Sequence, residues 1–134
     1  MATYNKFNSF VEALAEKVHN LGSDTLKVAL TNSAPAATMT KLSELTGAIA
    51  SPALDSVTLT VSSSSQTSGT YKLVLADLTM TATGAVGPFQ YVIIYNDTAA
   101  NDELICWYDY GSEVTLAKDD TFTLDFGDQL FSLA

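Results

Sequence analysis

The stretch FQYVIIYNDTAANDELICWYDY, residues 89–110, decides the fold. Its first part, FQYVIIYND (89–97), is apolar at successive positions and not only at alternate ones, the pattern of a strand buried on both faces. NDTAAND (96–102) is polar and loop-forming, and ELICWYDY (103–110) repeats the two-sided pattern until Gly111 breaks it. Downstream, Val114 and Leu116 precede an AKDD turn (117–120). Phe122, Leu124 and Phe126 then alternate with polar residues, and a short terminal strand is expected over 130–133. Upstream, Gly84, Gly87 and Pro88 mark a turn, and Tyr71, Leu73 and Leu75 alternate as a half-buried strand should. At Asp77 the alternation shifts by one residue before resuming at Leu78, Met80 and Ala82, which fits a bulge or bend between two strands. Val57, Leu59 and Val61 predict another strand, SSSSQTSG (62–69) a polar turn, and Leu26, Val28 and Leu30 a further strand. The expected fold is all-β, a β-sandwich or barrel of about eight short antiparallel strands.

One helix precedes the strands. Phe7, Phe10, Val11, Leu14, Val18 and Leu21 recur at spacings of three and four, predicting an amphipathic helix over about 6–21. Asn5 or Asn8 would cap its start, and Gly22 stands where a left-handed residue would end it. Such a stripe either packs on its own sheet or docks on a neighbouring subunit. The β region is expected to run over 24–134, the whole chain forming a single domain, 1–134. Within it, residues 32–55 hold two of the three prolines and form a long connection with one helical turn near 41–45. Long connections are often functional, which makes this one a candidate contact loop.

Composition narrows the function classes. The chain has 134 residues, one core's worth. All six of its cations are Lys, against fifteen Asp and Glu, for a net charge of −9. Nucleic-acid binding draws its affinity from Lys and Arg on phosphates, so no nucleic-acid partner is expected. A 47% hydrophobic content is too high for wholesale disorder, and 17 Thr with 13 Ser favour strands and turns. A single histidine, His19, and a single cysteine, Cys106, exclude an internal disulfide framework and a Cys/His zinc site. No stretch is apolar for the roughly 18 residues a bilayer requires, and MATYNKFNSF lacks the pattern of a secretory signal; neither a membrane partner nor export is expected.

No catalytic residue, metal or cofactor is expected either. His19 sits near the end of the expected helix, where it would meet the helix dipole or water without catalytic partners. The sequence has no GxSxG, phosphate-loop, HExxH or GxGxxG motif. Asp119 with Asp120, Asp125 with Asp128, and the Asp97, Asp102 and Glu103 group read as solvated acidic turns. Cys106, between Ile105 and Trp107, reads as a small buried hydrophobe. Trp107, Tyr108 and Tyr110 are the most pointed feature. Tyrosine and tryptophan concentrate at interfaces and stack on sugars, while the plainer reading sets them in a core with hydroxyls at its rim.

Four stretches together carry a resemblance: residues 4–35 (YNKFNSFVEALAEKVHNLGSDTLKVALTNSAP), 68–84 (SGTYKLVLADLTMTATG), 87–98 (GPFQYVIIYNDT) and 107–126 (WYDYGSEVTLAKDDTFTLDF). They resemble small head structural proteins of tailed bacteriophages, whose members look like capsid decoration, or cement, proteins. The resemblance implies a virion structural protein, made in the bacterial host cytoplasm, that binds the outer surface of the assembled head and stabilises it. It also implies the major capsid protein as partner and a homotrimer. On this reading the capsid-facing element is the N-terminal segment with Tyr4, Phe7 and Phe10, or the 33–55 loop, with Trp107 and Tyr110 as further contact candidates. The alternative function is a virion spike or tail-associated module that binds host glycans.

Overall fold

A computed structural model describes residues 2–134. Nine strands occur in the order β1 (Thr3–Lys6), β2 (Leu26–Thr31), β3 (Val61–Thr67), β4 (Thr70–Leu75), β5 (Leu78–Thr81), β6 (Val86–Asn96), β7 (Leu104–Leu116), β8 (Thr121–Leu124) and β9 (Phe131–Leu133). One short helix, α1 (Ser9–Ala15), follows β1, and a 3₁₀ turn (Leu42–Glu44) lies in the long connection near 41–45. All pairings are antiparallel, in three sheets: β1-β7-β6-β2, β3-β4-β9 and β5-β8. The fold is all-β with one helix.

The central sheet is covered on both faces, which is why β6 and β7 lack polar alternation. On one face Val28, Leu30, Val92 and Ile94 pack with Leu73 and Leu75 of β4, Met80 of β5, Leu124 of β8 and Phe10 of α1. On the other face Ala29, Ile93, Tyr95, Leu104 and Trp107 pack with Phe7 and with Leu45 of the long connection. Ala37, Met39, Leu42 and Ala48 complete that cover. Backbone bonds fasten it: Leu104 N–H donates to Thr40 O at 3.0 Å, and Leu30 and Ile49 exchange bonds of 3.0 and 2.7 Å. Where Ile94 pairs with Cys106 and Tyr95 with Leu104, Ile105 is the extra residue of a bulge. Ile105 and Cys106 therefore both serve the first face.

Several expectations are corrected. The N-terminal helix is not 6–21 but seven residues, because Phe7 and Phe10 do not share a stripe: Phe7 belongs to the face under the long connection and Phe10 to the opposite face. Residues before Phe7 instead form β1 beside β7, and Asn8 stands at the helix start without a side-chain cap. The left-handed residue past the helix is Lys17, at φ 69°, not Gly22. The serine row is not a turn but most of β3, with Ser68 and Gly69 alone making the tight turn at φ 52° and 84°. Hydroxyl side chains are at home on an exposed strand, and Ser64 Oγ meets Tyr71 Oη at 2.7 Å. Of the residues expected as the preceding strand, 57–59 supply isolated bonds to the edge of β2 and Val61 opens β3. Gly111 does not end β7, which passes through it at φ 76° in an irregular stretch of the ladder.

Candidate functional site

The four-stranded sheet has two unlike edges. Beside β2, Val28 N–H donates to Val57 O and Leu59 N–H to Leu26 O, both at 2.9 Å, so residues 57–59 cap that side. β1 is the other edge, with β7 on its inner side and, among the described residues, no strand on its outer side. The β1–β7 register runs from Thr3↔Asp109 through Asn5↔Trp107, and Phe7 N–H continues it by donating to Ile105 O at 3.2 Å. In an antiparallel ladder, alternate residues turn both backbone groups to the partner. Thr3, Asn5 and Phe7 face β7, which leaves the N–H and C=O of Tyr4 and Lys6 directed outward.

Tyr4 sits directly across from Tyr108, with ring centroids 5.6 Å apart and planes at 67°. Tyr110, two residues farther on the same face, leans on Phe122 at 5.1 Å, and Tyr108 on Phe126 at 6.1 Å. Tyr4, Tyr108, Tyr110 and Phe126 line an open cleft of about 460 Å³, together with Ala2, Asp125 and Gln129. Burial pushes the phenols of all three tyrosines up, and the Asp125 carboxylate pushes Tyr108 and Tyr110 further. They are neutral hydroxyls at any physiological pH. Asp125 Oδ1 accepts from Gly127 N–H at 2.8 Å, and among the described residues the one ion pair is elsewhere, Lys27 with Asp97 at 3.1 Å. The Asp125 charge thus faces the cleft without a cation beside it. Asp109 differs: Gln90 and the Gly111 N–H donate to its Oδ1 at 3.0 and 2.7 Å and hold its carboxyl below the usual range.

The structure brings two of the five candidate contact residues together and separates three. Tyr4 and Tyr110 share the cleft. Trp107 is on the opposite face of β7, buried 4.6 Å from the Phe7 ring, and Phe7 is fully buried with it. Phe10 is buried between His19 and Phe131. Of the apolar stripe, Phe7, Phe10 and Leu21 are taken up by the chain's own core, while Val11 and Val18 remain exposed. Of the 33–55 loop, Ala37, Met39, Leu42, Leu45 and Ala48 face inward, while Ala34, Ala36, Thr38, Thr40, Lys41 and Ser43 remain exposed. Asp125 was visible in the sequence only as one of many acids. What would have found it is the Phe122, Leu124, Phe126 alternation, which places Asp125 between two buried neighbours at the end of β8.

His19, expected in water or at a helix end, is 4% exposed. Asn96, at the end of β6, is wholly buried beside it. Asn96 Oδ1 accepts the N–H groups of Thr98 and Ala99 at 3.0 and 3.2 Å, so the group facing His19 Nδ1 at 3.0 Å is the donor Nδ2. The same Nδ2 donates to Asp24 Oδ2 at 2.7 Å. His19 Nδ1 is an acceptor, and the ring carries its proton on Nε2. Among the described residues no group of three or more His, Cys, Asp or Glu is gathered as metal ligands, and no helix is long and apolar enough to cross a membrane. No known protein family, characterised protein or solved structure matches the chain.

Proposed function

We propose that the chain is a structural protein of a tailed-bacteriophage head, a decoration protein that binds the outer surface of the assembled capsid and stabilises it. Its partner is the major capsid protein, its state on the particle a homotrimer, its place the virion exterior after synthesis in the host cytoplasm. The resemblance of the four sequence stretches supplies the class. The observation that carries the reading is the open outer edge of β1, where Tyr4 and Lys6 offer unpaired backbone groups next to a tyrosine cleft. An exposed strand edge is a ready template for an extended segment of another chain. A ligand that exists only on the finished shell stabilises that shell by linkage, and a trimer multiplies a weak contact into avidity.

The experiment is sedimentation of purified heads lacking the protein after incubation with it. Wild-type protein is expected to pellet with the heads to saturation and to raise their thermal stability. Lys6→Pro removes an outward N–H and no internal ladder bond. It should keep the circular dichroism of the parent and lose most of the bound protein. Wild-type chain that stays in the supernatant, or a folded Lys6→Pro that binds undiminished, overturns the reading.

A further inference from the structure

We propose that the tyrosine cleft is a receptor for the cationic side chain, Lys or Arg, of the extended partner segment that adds to β1, an inference resting on the reading of that edge as an interface. Side chains of a strand added beside β1 alternate between faces, and the residue paired with Tyr4 points to the face that Tyr4 shares with Tyr108 and Tyr110. That side chain enters the cleft. Its aliphatic stem runs along the aromatic walls, and its charge meets the negative ring faces of neutral tyrosines. The Asp125 carboxylate waits at the same place. It lines the cleft together with Tyr108 and Tyr110, adds to the upward shift of both phenols, and has no cation partner among the described residues.

Charge complementarity selects the occupant. A chain of net charge −9 without any Arg has little of its own to satisfy this carboxylate, and the nearest cation on β1, Lys6, is not among the residues of the cleft. An acidic partner side chain would be repelled by Asp125 and by the field of the whole molecule. An apolar one would leave Asp125 facing an uncharged neighbour. The cationic side chain answers both the aromatic walls and the carboxylate.

The probe is N-acetyl-arginine amide, titrated into the full chain and followed by the NMR shifts of the tyrosine rings, with the uncharged isostere N-acetyl-citrulline amide as control. Saturable shifts at Tyr4, Tyr108 and Tyr110 are expected with arginine, and binding about tenfold weaker with citrulline. Asp125→Asn keeps an acceptor for the Gly127 N–H and should weaken arginine binding by about tenfold as well. Equal response to the two probes, shifts confined to other residues, or preferential response to methyl glycosides overturns the proposal; the last result marks the cleft as a sugar site. The head-binding assay reports separately. Arginine binding by a wild-type chain that ignores heads sinks the decoration reading alone. Full decoration by Asp125→Asn with a cleft silent to arginine sinks the cleft inference alone.

Discussion

Asn96 donates to His19 across 77 residues of sequence, and in doing so ties the segment after α1 to the end of the central hairpin. All four hydrogen-bonding valences of the Asn96 amide are used, two to close the loop after β6 and two to hold His19 and Asp24. Asn96→Ala should cost about 3 kcal/mol, because it strands buried partners and not only its own bonds. Urea denaturation with an unchanged slope would register this as a lower midpoint.

The same pair sets a dependence on acid. Burial lowers the His19 pKa from its ordinary 6.5, outweighing the Glu103 and Asp24 charges that favour the cation. The unfolded chain binds a proton at this site near pH 6.5 while the folded chain resists it, so stability rises with pH across that window. The contribution is complete above 6.5 and is lost progressively as pH falls from there through the depressed folded value. Melting temperature should decline between pH 7 and 5. His19→Gln, which can still accept from Asn96, should decline less over the same interval.

Cys106 is fully buried in β7, and burial pushes its thiol far above the range in which a thiolate forms. Native protein at pH 8 should react negligibly with a disulfide reagent over minutes, and denatured protein should release one equivalent at once. Rapid reaction of the native chain would contradict the packing of β1 against β7.

Two residues of the expected helical stripe should respond very differently to truncation. Phe7→Ala removes a ring packed on Trp107 under the long connection and should cost about 3–5 kcal/mol. Val11→Ala, at a position 55% exposed, should cost less than about 0.5 kcal/mol. A four-turn helix using both residues on one face would make the two losses comparable, and denaturant midpoints separate the cases.

Gly87 adopts φ 105°, and a Cβ placed there would lie 2.6 Å from Val114 O. Backbone conformation and backbone collision act together, so Gly87→Ala should cost about 3 kcal/mol. Gly47→Ala meets only an unfavourable φ of 64° with open space around it, and about 1 kcal/mol is expected. Thermal melts of the two variants test the ranking.

The strands of the core were legible because their signal is local. Burial on both faces leaves residues 92–95 of β6 and 104–107 of β7 no polar positions, and the alternation of Leu26, Val28 and Leu30 reports one strand by itself. The cover over the second face was not legible, since Ala37, Met39, Leu42 and Ala48 have no period and gain meaning only against Trp107 and Ile93. Phe7 and Phe10 misled for a related reason: a spacing of three satisfies a helix, yet here it spans the step from a strand to a short helix serving opposite faces. His19 carries no local sign of burial, its partner being 77 residues away. Of the candidate site, Tyr108 and Tyr110 were readable as same-face neighbours. Trp107 was grouped with them by adjacency, although adjacent residues of a strand point apart.

The unequal edges of the central sheet set a limit on growth. With residues 57–59 bonded along the β2 side, a strand recruited at β1 finds the opposite edge of the same sheet already occupied. Growth by copies of the chain through this sheet therefore stops at one added strand, so crowding at high local density need not nucleate fibrils through it.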